Sequence, residues 1–159
     1  MTRQEIETLT RRYMDAFMNG NVDDAAEYVA RDAEGHFPGF DEDGSYGFVT
    51  LFTGPEGYAQ SIQNIHNSFP DFGGKIDELI VTENKAVIRY TVGGTFERDF
   101  LDLQATGKHF EYVAIDLIHF EDGKIVKTWT VWDELRGWQQ AGVLPEWSLS
   151  YASGWEGLQ

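Results

Sequence analysis

The stretch DLIHFEDGKIVKTWTVWD, residues 116–133, carries one acid, Asp116, in a mostly apolar run that ends at the turn residues EDG. Alternating residues on both sides of that turn predict two antiparallel strands joined in a hairpin. A carboxyl group that is buried without a full partner has a raised pKa, and such a group is a good proton shuttle. Asp116 is therefore the first candidate for a catalytic acid or base.

Two turn types fit FEDGKI, and they place different residues opposite Asp116. A two-residue type I′ turn at Asp122-Gly123 places Trp129 there, whereas a three-residue loop with Gly123 in a bulge places Thr128 there. We prefer the three-residue loop, because it separates an aliphatic face from a mixed one. The aliphatic face would hold Val113, Ile115, Leu117, Ile125, Trp129 and Val131, and the mixed face Tyr112, Ala114, Asp116, Ile118, Thr128, Thr130 and Trp132.

The two faces predict different partners. A face with an acid, two hydroxyl groups and aromatic rings is typical of the wall of a ligand pocket. If helices cover that face around a hollow, the aliphatic face points away from them and requires a partner subunit to bury it. We therefore expect a homodimer or homotetramer formed through the outer sheet face. His119 falls on this face as an interface or packing residue.

Three further residues, Arg89, Thr130 and His36, are candidates to assist Asp116 in catalysis. Arg89, in the strand KAVIRYTVGG, could reach across the wall and hold Asp116 ionised, either as a structural pair or to orient a water or a carbonyl group. Thr130 would help to orient Asp116. His36, in EGHFPGF, is expected on an irregular loop, where functional groups often lie, as a second proton carrier or as a loop-packing residue.

Aromatic residues on several predicted elements could line a pocket for a ring-bearing ligand, although each of them also suits a core. Asp133 directly precedes ELRGWQQ, and we interpret it as a helix N-cap and not as a second acid. The predicted ligand contacts are Phe17, Phe40, Tyr58, Tyr112, Thr128 and Trp132.

Motifs for several other chemistries are missing from the sequence. It has no cysteine and no paired histidines at metal-ligand spacing, so neither a metal nor another cofactor is expected. The GxSxG, GxGxxG and Walker patterns are also absent, which argues against a serine hydrolase, a dinucleotide enzyme and a nucleotide hydrolase.

The composition favours a single globular domain with a small-molecule ligand. The 159 residues are 42% hydrophobic and 14% aromatic, which is enough for one well-packed core. A net charge of -15, from 27 acidic and 12 basic residues, disfavours nucleic acid and anionic membrane surfaces. With no signal-peptide pattern and no long apolar window, we expect a cytoplasmic location.

Helices dominate the first half of the predicted fold. A capping box at Thr2 and helical spacing from Ile6 predict a first helix that ends at Gly20, and a short second helix follows from Asn21. Residues 35–54 mix glycine and aromatic residues without a clean period, which indicates an irregular loop with room for one short strand. A third helix begins near Pro55 and ends at Pro70.

Strands dominate the second half. Period-two alternation predicts strands at residues 75–82, 86–96, 109–120 and 125–132, followed by a short helix at 133–140. Helices first and an antiparallel meander afterwards predict an α+β fold, with the helices on one face of the sheet. A strongly curved sheet would leave a hollow between the two layers.

Three segments, GNVDDAAEYVARD, TGPEGYAQSIQNIHNSFPDF and TGKHFEYVAIDLIHFEDGKIVKTWTVWDELRGWQQAGVLP, resemble the SnoaL-like polyketide and ester cyclases of the nuclear-transport-factor-two-like superfamily. The resemblance runs from about residue 5 to 145. It implies a cone-shaped domain over 1–145, in which N-terminal helices and a curved antiparallel sheet surround a central cavity. Residues 146–159 would be an aromatic tail that packs on its own or a neighbouring subunit.

The resemblance also implies a cofactor-free intramolecular aldol reaction on a polyketide ester. In that family an aspartate of the last strand, usually in a His-x-Asp pattern, takes the proton. Thr128 and Thr130 stand at those two positions here, and neither hydroxyl is a base near neutral pH. Asp116 falls where such cyclases place a cavity histidine, and it could serve as the acid or base from the adjacent strand.

Three functions follow as hypotheses. The first is a cofactor-free acid–base enzyme that acts on a hydrophobic small molecule, as a cyclase or a related isomerase, dehydratase or hydrolase. The second is a non-catalytic binding protein that uses the same cavity, since fold alone does not give function. The third is an accessory module that only assembles with partners, for which the cavity would be filled by its own side chains.

Overall fold

The computed structural model describes residues 1–146, which form four helices and six strands. The predicted aromatic tail lies outside the described residues, apart from Glu146. The elements in chain order are α1 (Arg3–Asn19), α2 (Ala25–Tyr28), β1 (Val29–Phe40), β2 (Tyr46–Thr53), α3 (Gly54–Ser68), β3 (Gly73–Val81), β4 (Lys85–Thr95), β5 (His109–Glu121), β6 (Lys124–Trp132) and α4 (Glu134–Gln140).

All six strands form one curved, unclosed sheet in the order β2-β1-β6-β5-β4-β3. Neighbouring strands are antiparallel except β1 and β6, which run parallel. The helices pack on the concave side, so the predicted α+β cone is confirmed. Among residues 1–146, no helix is long and apolar enough to cross a membrane.

The first and third helices form as their end signals predict. Thr2 and Glu5 make a reciprocal capping box at the start of α1, and Gly20 ends the helix with a φ of 74°. The buried face of α1 includes Ile6, Tyr13 and Met14, at positions that recur with helical spacing. The α3 helix has Pro55 in its first turn, where a missing N–H costs nothing.

The prediction of an irregular loop over residues 35–54 is wrong, because β1 and β2 pair there as a long hairpin. The glycine that interrupts the pattern has a packing role. A side chain at Gly35 would lie 2.1 Å from the ring of Phe52, so glycine lets this ring lie flat against β1. The predicted second helix is also shorter than expected, a single turn at Ala25–Tyr28.

The hairpin of β5 and β6 combines features of both predicted turns. Asp122 and Gly123 have φ values of 47° and 79°, as in a type I′ turn, so the preferred three-residue loop is wrong. A bulge follows: His119 pairs with Lys127 and Phe120 with Ile125, which leaves one extra residue in β6. As a result Asp116 lies opposite Thr130, and not opposite Thr128 or Trp129.

The bulge decides which residues share each face of the sheet. The mixed face is confirmed, with Asp116 and Thr128 almost completely buried on the concave side. On the predicted aliphatic face, Val113, Ile115 and Val131 are 46 to 52% exposed. Ile125 is an exception, since it is fully buried beside Phe120 on the concave side.

Glycines in the middle of strands allow the close backbone approaches that a curved sheet requires. A side-chain carbon at Gly74 would lie 2.0 Å from the carbonyl oxygen of Thr91, and one at Gly93 would lie 2.3 Å from that of Phe110. By contrast, nothing lies within 4 Å of such a carbon at Gly47 in β2. The sheet therefore tolerates a side chain at Gly47 but not at Gly93.

We expect Gly93→Ala to lower the free energy of unfolding by about 2–4 kcal/mol, because backbone atoms have to move to admit the methyl group. Gly47→Ala is the matched control and should change the same quantity by no more than about 0.5 kcal/mol. Urea denaturation followed by tryptophan fluorescence measures both. Equal effects of the two substitutions would contradict this account of the curvature.

Candidate active site

A cavity of about 440 Å³ lies between the concave side of the sheet and the helices. Its walls come from the helices α1, α3 and α4, from the five strands β1, β2, β4, β5 and β6, and from the segment before β5. The residues that line its inner part are Tyr13, Phe17, Phe52, Tyr58, Ile62, Tyr90, Phe110, Tyr112, Asp116, Thr128, Thr130, Trp132 and Trp138.

Asp116 is the buried acid of this cavity. Its residue is 3% exposed, and the hydroxyl of Tyr90 donates a hydrogen bond to Oδ1 over 3.0 Å. Burial raises the pKa of Asp116 to about 7, and the nearby hydroxyls of Thr130 and Tyr90 offset part of this rise. Near neutral pH the group is therefore divided between its acid and its base form.

Tyrosine hydroxyls and threonines surround the carboxyl group. Thr130 is its cross-strand neighbour in β6, and Thr128 lies two residues before it on the same face. Tyr13 and Tyr58 are stacked with ring centroids 4.7 Å apart, and the Tyr58 hydroxyl donates to the carbonyl oxygen of Tyr13 over 2.7 Å. Burial, and then the charge of Asp116, raise the pKa of Tyr13, so its phenol stays neutral.

An aromatic layer forms the wall between β5 and α4. The rings of Tyr112 and Trp132 lie 4.7 Å apart, and Phe110 stacks parallel to Tyr112 at 6.0 Å. Trp138 of α4 meets Trp132 edge to face at 6.2 Å. The α4 helix packs closely on this layer, since a side-chain carbon at Gly137 would lie at van der Waals distance, 3.5 Å from Trp132 and 3.6 Å from Tyr112. The layer offers flat apolar surfaces to a ring-bearing ligand.

Most of the predicted ligand contacts do lie at the cavity. Phe17, Tyr58, Tyr112, Thr128 and Trp132 line it together with the catalytic candidates Asp116 and Thr130. Phe40 does not, because it is 72% exposed near the end of the β1–β2 hairpin and packs edge to face on Tyr46. The placement of Phe40 in the pocket wall is therefore wrong.

The predicted pair of Arg89 and Asp116 is also wrong. In β4 the side chains of Ile88 and Tyr90 are buried on the concave side, so Arg89 between them points to the opposite side of the sheet. Its side chain is 45% exposed and lies 3.5 Å from Asp77 and 3.6 Å from Glu78. Arg89 therefore does not hold Asp116 in its ionised form.

His36 lies in strand β1 and not in a loop. It borders the cavity, but its Nε2 atom is 3.2 Å from Glu34, and its ring stacks on Trp129 with centroids 5.7 Å apart. Trp129 also packs against His119, which confirms His119 as a packing residue of the outer sheet face. This arrangement does not bring the imidazole of His36 to Asp116, and a role as second proton carrier loses its geometric support.

Asp133 has the role that the sequence predicts, whereas the role of Tyr90 was not predicted. Asp133 caps α4, because its carboxylate accepts the backbone N–H of Arg136 at 3.2 Å. Tyr90, the hydrogen-bond partner of Asp116, was missed. The alternation in β4 could have identified it, because apolar residues at 86, 88 and 92 place Tyr90 on the buried face and Arg89 on the exposed one.

The electrostatic character of the cavity favours uncharged ligands. The described residues that line it include the acids Asp116 and Glu134 but no lysine or arginine. An anionic ligand would meet the field of Asp116 without a compensating positive charge. A neutral molecule with ketone or ester oxygens would instead find hydroxyl donors and aromatic surfaces.

Comparisons with known proteins agree with this architecture. AcmA of Streptomyces galilaeus, an aklanonic acid methyl ester cyclase, is 27% identical over 117 residues, which cover 72% of this chain and 75% of AcmA. The structure of IdmH from Streptomyces antibioticus, a proposed polyketide cyclase, is 27% identical with a TM-score of 0.70, and covers 86% of this chain and 98% of IdmH.

TsrD from Streptomyces laurentii has the same fold, with a TM-score of 0.75 at 23% identity over 91% of this chain and 99% of TsrD. The model of the SnoaL-like polyketide cyclase family matches residues 7–141, which span every helix and strand of the cone except the first turn of α1. The chain therefore belongs to the SnoaL-like polyketide cyclase family.

Proposed function

We propose that the protein is a polyketide-type cyclase, which closes a ring in an uncharged hydrophobic substrate by general acid–base catalysis with Asp116. The observation that carries this proposal is the carboxyl group of Asp116, 3% exposed in an apolar cavity, where burial raises its pKa to about 7. The best general acid–base groups have a pKa near the working pH. The family and its cyclase relatives support the same type of reaction.

An intramolecular aldol reaction needs only proton transfers around one new bond. The carboxylate of Asp116 takes a proton from a carbon beside a carbonyl group, and an enolate forms. The enolate carbon attacks a second carbonyl group of the same molecule, which creates a carbon–carbon bond and an alkoxide. The protonated Asp116 then returns its proton to the alkoxide. The reaction is redox-neutral, so this chemistry requires no oxidant, reductant or other cofactor.

The hydroxyl groups near Asp116 suit the oxygen atoms of such a substrate. Thr128 and Thr130 lie on the same face as the carboxyl group, and Tyr112 lies four residues before it in β5. A hydroxyl that donates to the developing enolate or alkoxide stabilises the negative charge in a dry site. The rings of Phe17, Tyr58 and Trp132 would hold the apolar body of the substrate.

A second candidate function is non-catalytic binding of the same class of molecule. Thr128 and Thr130 occupy the two positions at which the resemblance implies a histidine and an aspartate, and their hydroxyls cannot act as bases near neutral pH. Asp116 would then serve as a hydrogen-bonding group for a ligand. A role as a purely structural module has less support, because it would require a cavity filled by the protein's own side chains. The cavity instead has a volume of about 440 Å³.

Substitution of Asp116 tests the catalytic proposal. We expect Asp116→Asn to lower kcat by about 10²- to 10⁴-fold, because the amide can neither take nor return the proton. Aklanonic acid methyl ester, the molecule in the name of the relative AcmA, is the first probe, with ring closure followed by mass spectrometry and chromatography. The wild-type rate should rise with pH through about 7, as the carboxylate form becomes populated.

Asp122→Asn is the matched control, since Asp122 lies in the exposed turn of the same hairpin and asparagine also adopts its positive φ. The control should keep the wild-type kcat. Unchanged turnover in Asp116→Asn would refute the assignment of Asp116. A wild-type protein that binds the ester but returns it unchanged would favour the binding function.

The stability of Asp116→Asn should depend on pH in a defined direction. The folded-state pKa of about 7 lies above the ordinary value of 3.8, so burial favours the neutral acid. The contribution to stability is complete below about pH 4 and is lost as pH rises through about 7. Because asparagine carries no charge, the variant should gain stability over the wild type by a few kcal/mol between pH 4 and pH 8.

Thermal and urea unfolding of both proteins at pH 4.5 and pH 8 measure this difference. The comparison also shows whether a loss of activity in Asp116→Asn reflects lost chemistry or lost folding. A difference in unfolding free energy that stays constant between the two pH values would contradict a buried, titrating Asp116.

We infer that the outer sheet face joins two or more copies of the chain. Val113, Ile115 and Val131 form an exposed aliphatic patch on β5 and β6, with each residue 46 to 52% exposed. Adjacent exposed apolar side chains on one face of a sheet favour a self-complementary contact. The aromatic core of the protomer lies on the other side of the sheet.

We expect the double substitution Ile115→Asp and Val131→Asp to convert the oligomer to monomers, because charges would be buried in the contact. Leu135→Asp is the control, since Leu135 is 42% exposed on α4, away from the outer sheet face. Size-exclusion chromatography with light scattering gives the masses. A wild-type protein that is monomeric at micromolar concentration would overturn the inference.

A further inference from the structure

The hydroxyl of Tyr90, on the adjacent strand β4, makes a hydrogen bond that helps to fix the position of Asp116. Its hydroxyl donates to Oδ1 over 3.0 Å, and both residues are almost completely buried. Asp116 and Tyr90 lie on adjacent strands, since Ile88 of β4 is the direct cross-strand partner of Asp116 and Tyr90 is two residues further along the same face. The contact is thus built into the register of the sheet.

The ring of Tyr90 is held from the helical side as well. Phe17 of α1 meets this ring edge to face at 5.9 Å, and Phe17 in turn packs edge to face on Phe72 at 5.2 Å. Because these contacts restrict rotation of the Tyr90 ring, its hydroxyl is held in one position. The position of Oδ1 is therefore determined by the packing of α1 on the sheet.

We propose that Tyr90 is a positioning residue, which occupies Oδ1 of Asp116 and thereby makes Oδ2 the atom that exchanges protons with a ligand. This inference rests on the proposed acid–base function of Asp116. Beyond that function, it specifies Oδ2 as the carboxyl oxygen that exchanges the proton and Tyr90 as the residue that determines this choice. Oδ1 already accepts a hydrogen bond, so the neutral acid carries its proton on Oδ2.

A donor to the carboxylate also affects its basicity. The Tyr90 hydroxyl stabilises the charged form and works against burial, so its removal should raise the pKa of Asp116. Hydrogen bonds to charged groups contribute about 1.5–3 kcal/mol, which corresponds to roughly one to two pH units. A base with a higher pKa would be protonated in a larger fraction of molecules at neutral pH.

Among the other groups that face Asp116, the Thr130 hydroxyl also stabilises the charged form, whereas the other tyrosines do not. Tyr13 of α1, Tyr58 of α3 and Tyr112 of β5 all have pKa values raised by burial and then by neighbouring charge or phenol groups, so they remain neutral across the relevant range. Thr128 and Thr130 of β6 do not titrate, and Glu134 of α4 lies at the cavity rim. No lysine or arginine of residues 1–146 lines the cavity.

The test is a carbon-13 NMR titration of protein labelled at the aspartate carboxyl carbons, in which Asp116→Asn identifies the Asp116 signal. We expect Tyr90→Phe to raise the midpoint of that signal by about one pH unit. Tyr58→Phe is the matched control. It removes a buried hydroxyl of the same cavity that donates to the carbonyl of Tyr13 and not to Asp116, so the midpoint should stay at its wild-type value.

Equal midpoints in Tyr90→Phe and the wild type, or equal shifts in both tyrosine variants, would overturn the proposal. If Tyr90→Phe does not fold, the wild-type protein labelled at the tyrosine ring carbon beside the hydroxyl provides a second measurement. The Tyr90 signal should then move with the same midpoint as Asp116. A Tyr90 signal that stays constant from pH 5 to pH 9 would refute the contact.

Kinetics separate a failure of this inference from a failure of the proposed function. In the ring-closure assay, Tyr90→Phe should move the acid limb of the kcat profile upward by the same interval as the NMR midpoint, with little change in KM. The NMR titration needs no turnover, so it tests Tyr90 even if the ester is not converted. Loss of turnover in Asp116→Asn with an unchanged midpoint in Tyr90→Phe would refute Tyr90 alone.

Discussion

The cost of burying one carboxyl group among apolar side chains is the constraint around which this cavity is organised. Moving a charged group out of water costs several kcal/mol unless a group of opposite charge lies beside it. The hydrogen-bonding partners of Asp116 are hydroxyl groups, which carry no charge. Asp77, by contrast, accepts a hydrogen bond from Thr91 and lies near Lys75 and Arg89, so its pKa is lowered. Among residues 1–146 there are cations on the outer side of the sheet, such as Lys75 and Arg89, but none of them is a partner of Asp116. Stability alone would favour an apolar residue at position 116, as at the neighbouring Ile118.

The enclosure of the cavity depends on contacts that leave no space for larger side chains. Gly35 allows the Phe52 ring to cover β1, and Gly93 allows the backbones of β4 and β5 to come together. Gly35 lies in the segment where the pattern is interrupted, whereas Gly93 lies inside a strand that the alternation predicts. The same positions therefore supply the curvature of the sheet and the enclosure of the acid, and this enclosure is the main cause of the raised pKa of Asp116.

Period-two alternation in the second half of the sequence was sufficient to predict β3 to β6, and end signals predicted α1 and α3. This alternation did not predict β1 and β2. Gly35 interrupts it because the Phe52 ring occupies the space of a side chain there, and no local pattern reveals that contact. The faces of the β5–β6 hairpin were predicted correctly except for Ile125, although the turn was not. The bulge near Val126, which the sequence did not predict, shifts the pairing by one residue, so the residues beyond it lie on their predicted faces. Arg89 was chosen for its charge, whereas the alternation of β4 favours Tyr90, which shows that side-chain direction outweighs charge complementarity inside a sheet.

The position of the acid relative to the family pattern has a geometric consequence. Thr130 stands where the resemblance implies an aspartate, and Asp116 is its direct cross-strand partner on the same face. Directly opposed residues have side-chain carbons about 4.5–5.5 Å apart, so a carboxyl group on β5 still reaches the volume that one on β6 would serve. Thr130 therefore places a hydroxyl donor at the position where the resemblance implies the acid. An acid on β5 approaches a bound substrate from the side of Tyr90 and Tyr112, so a different carbon of the same ligand would lie closest to the base.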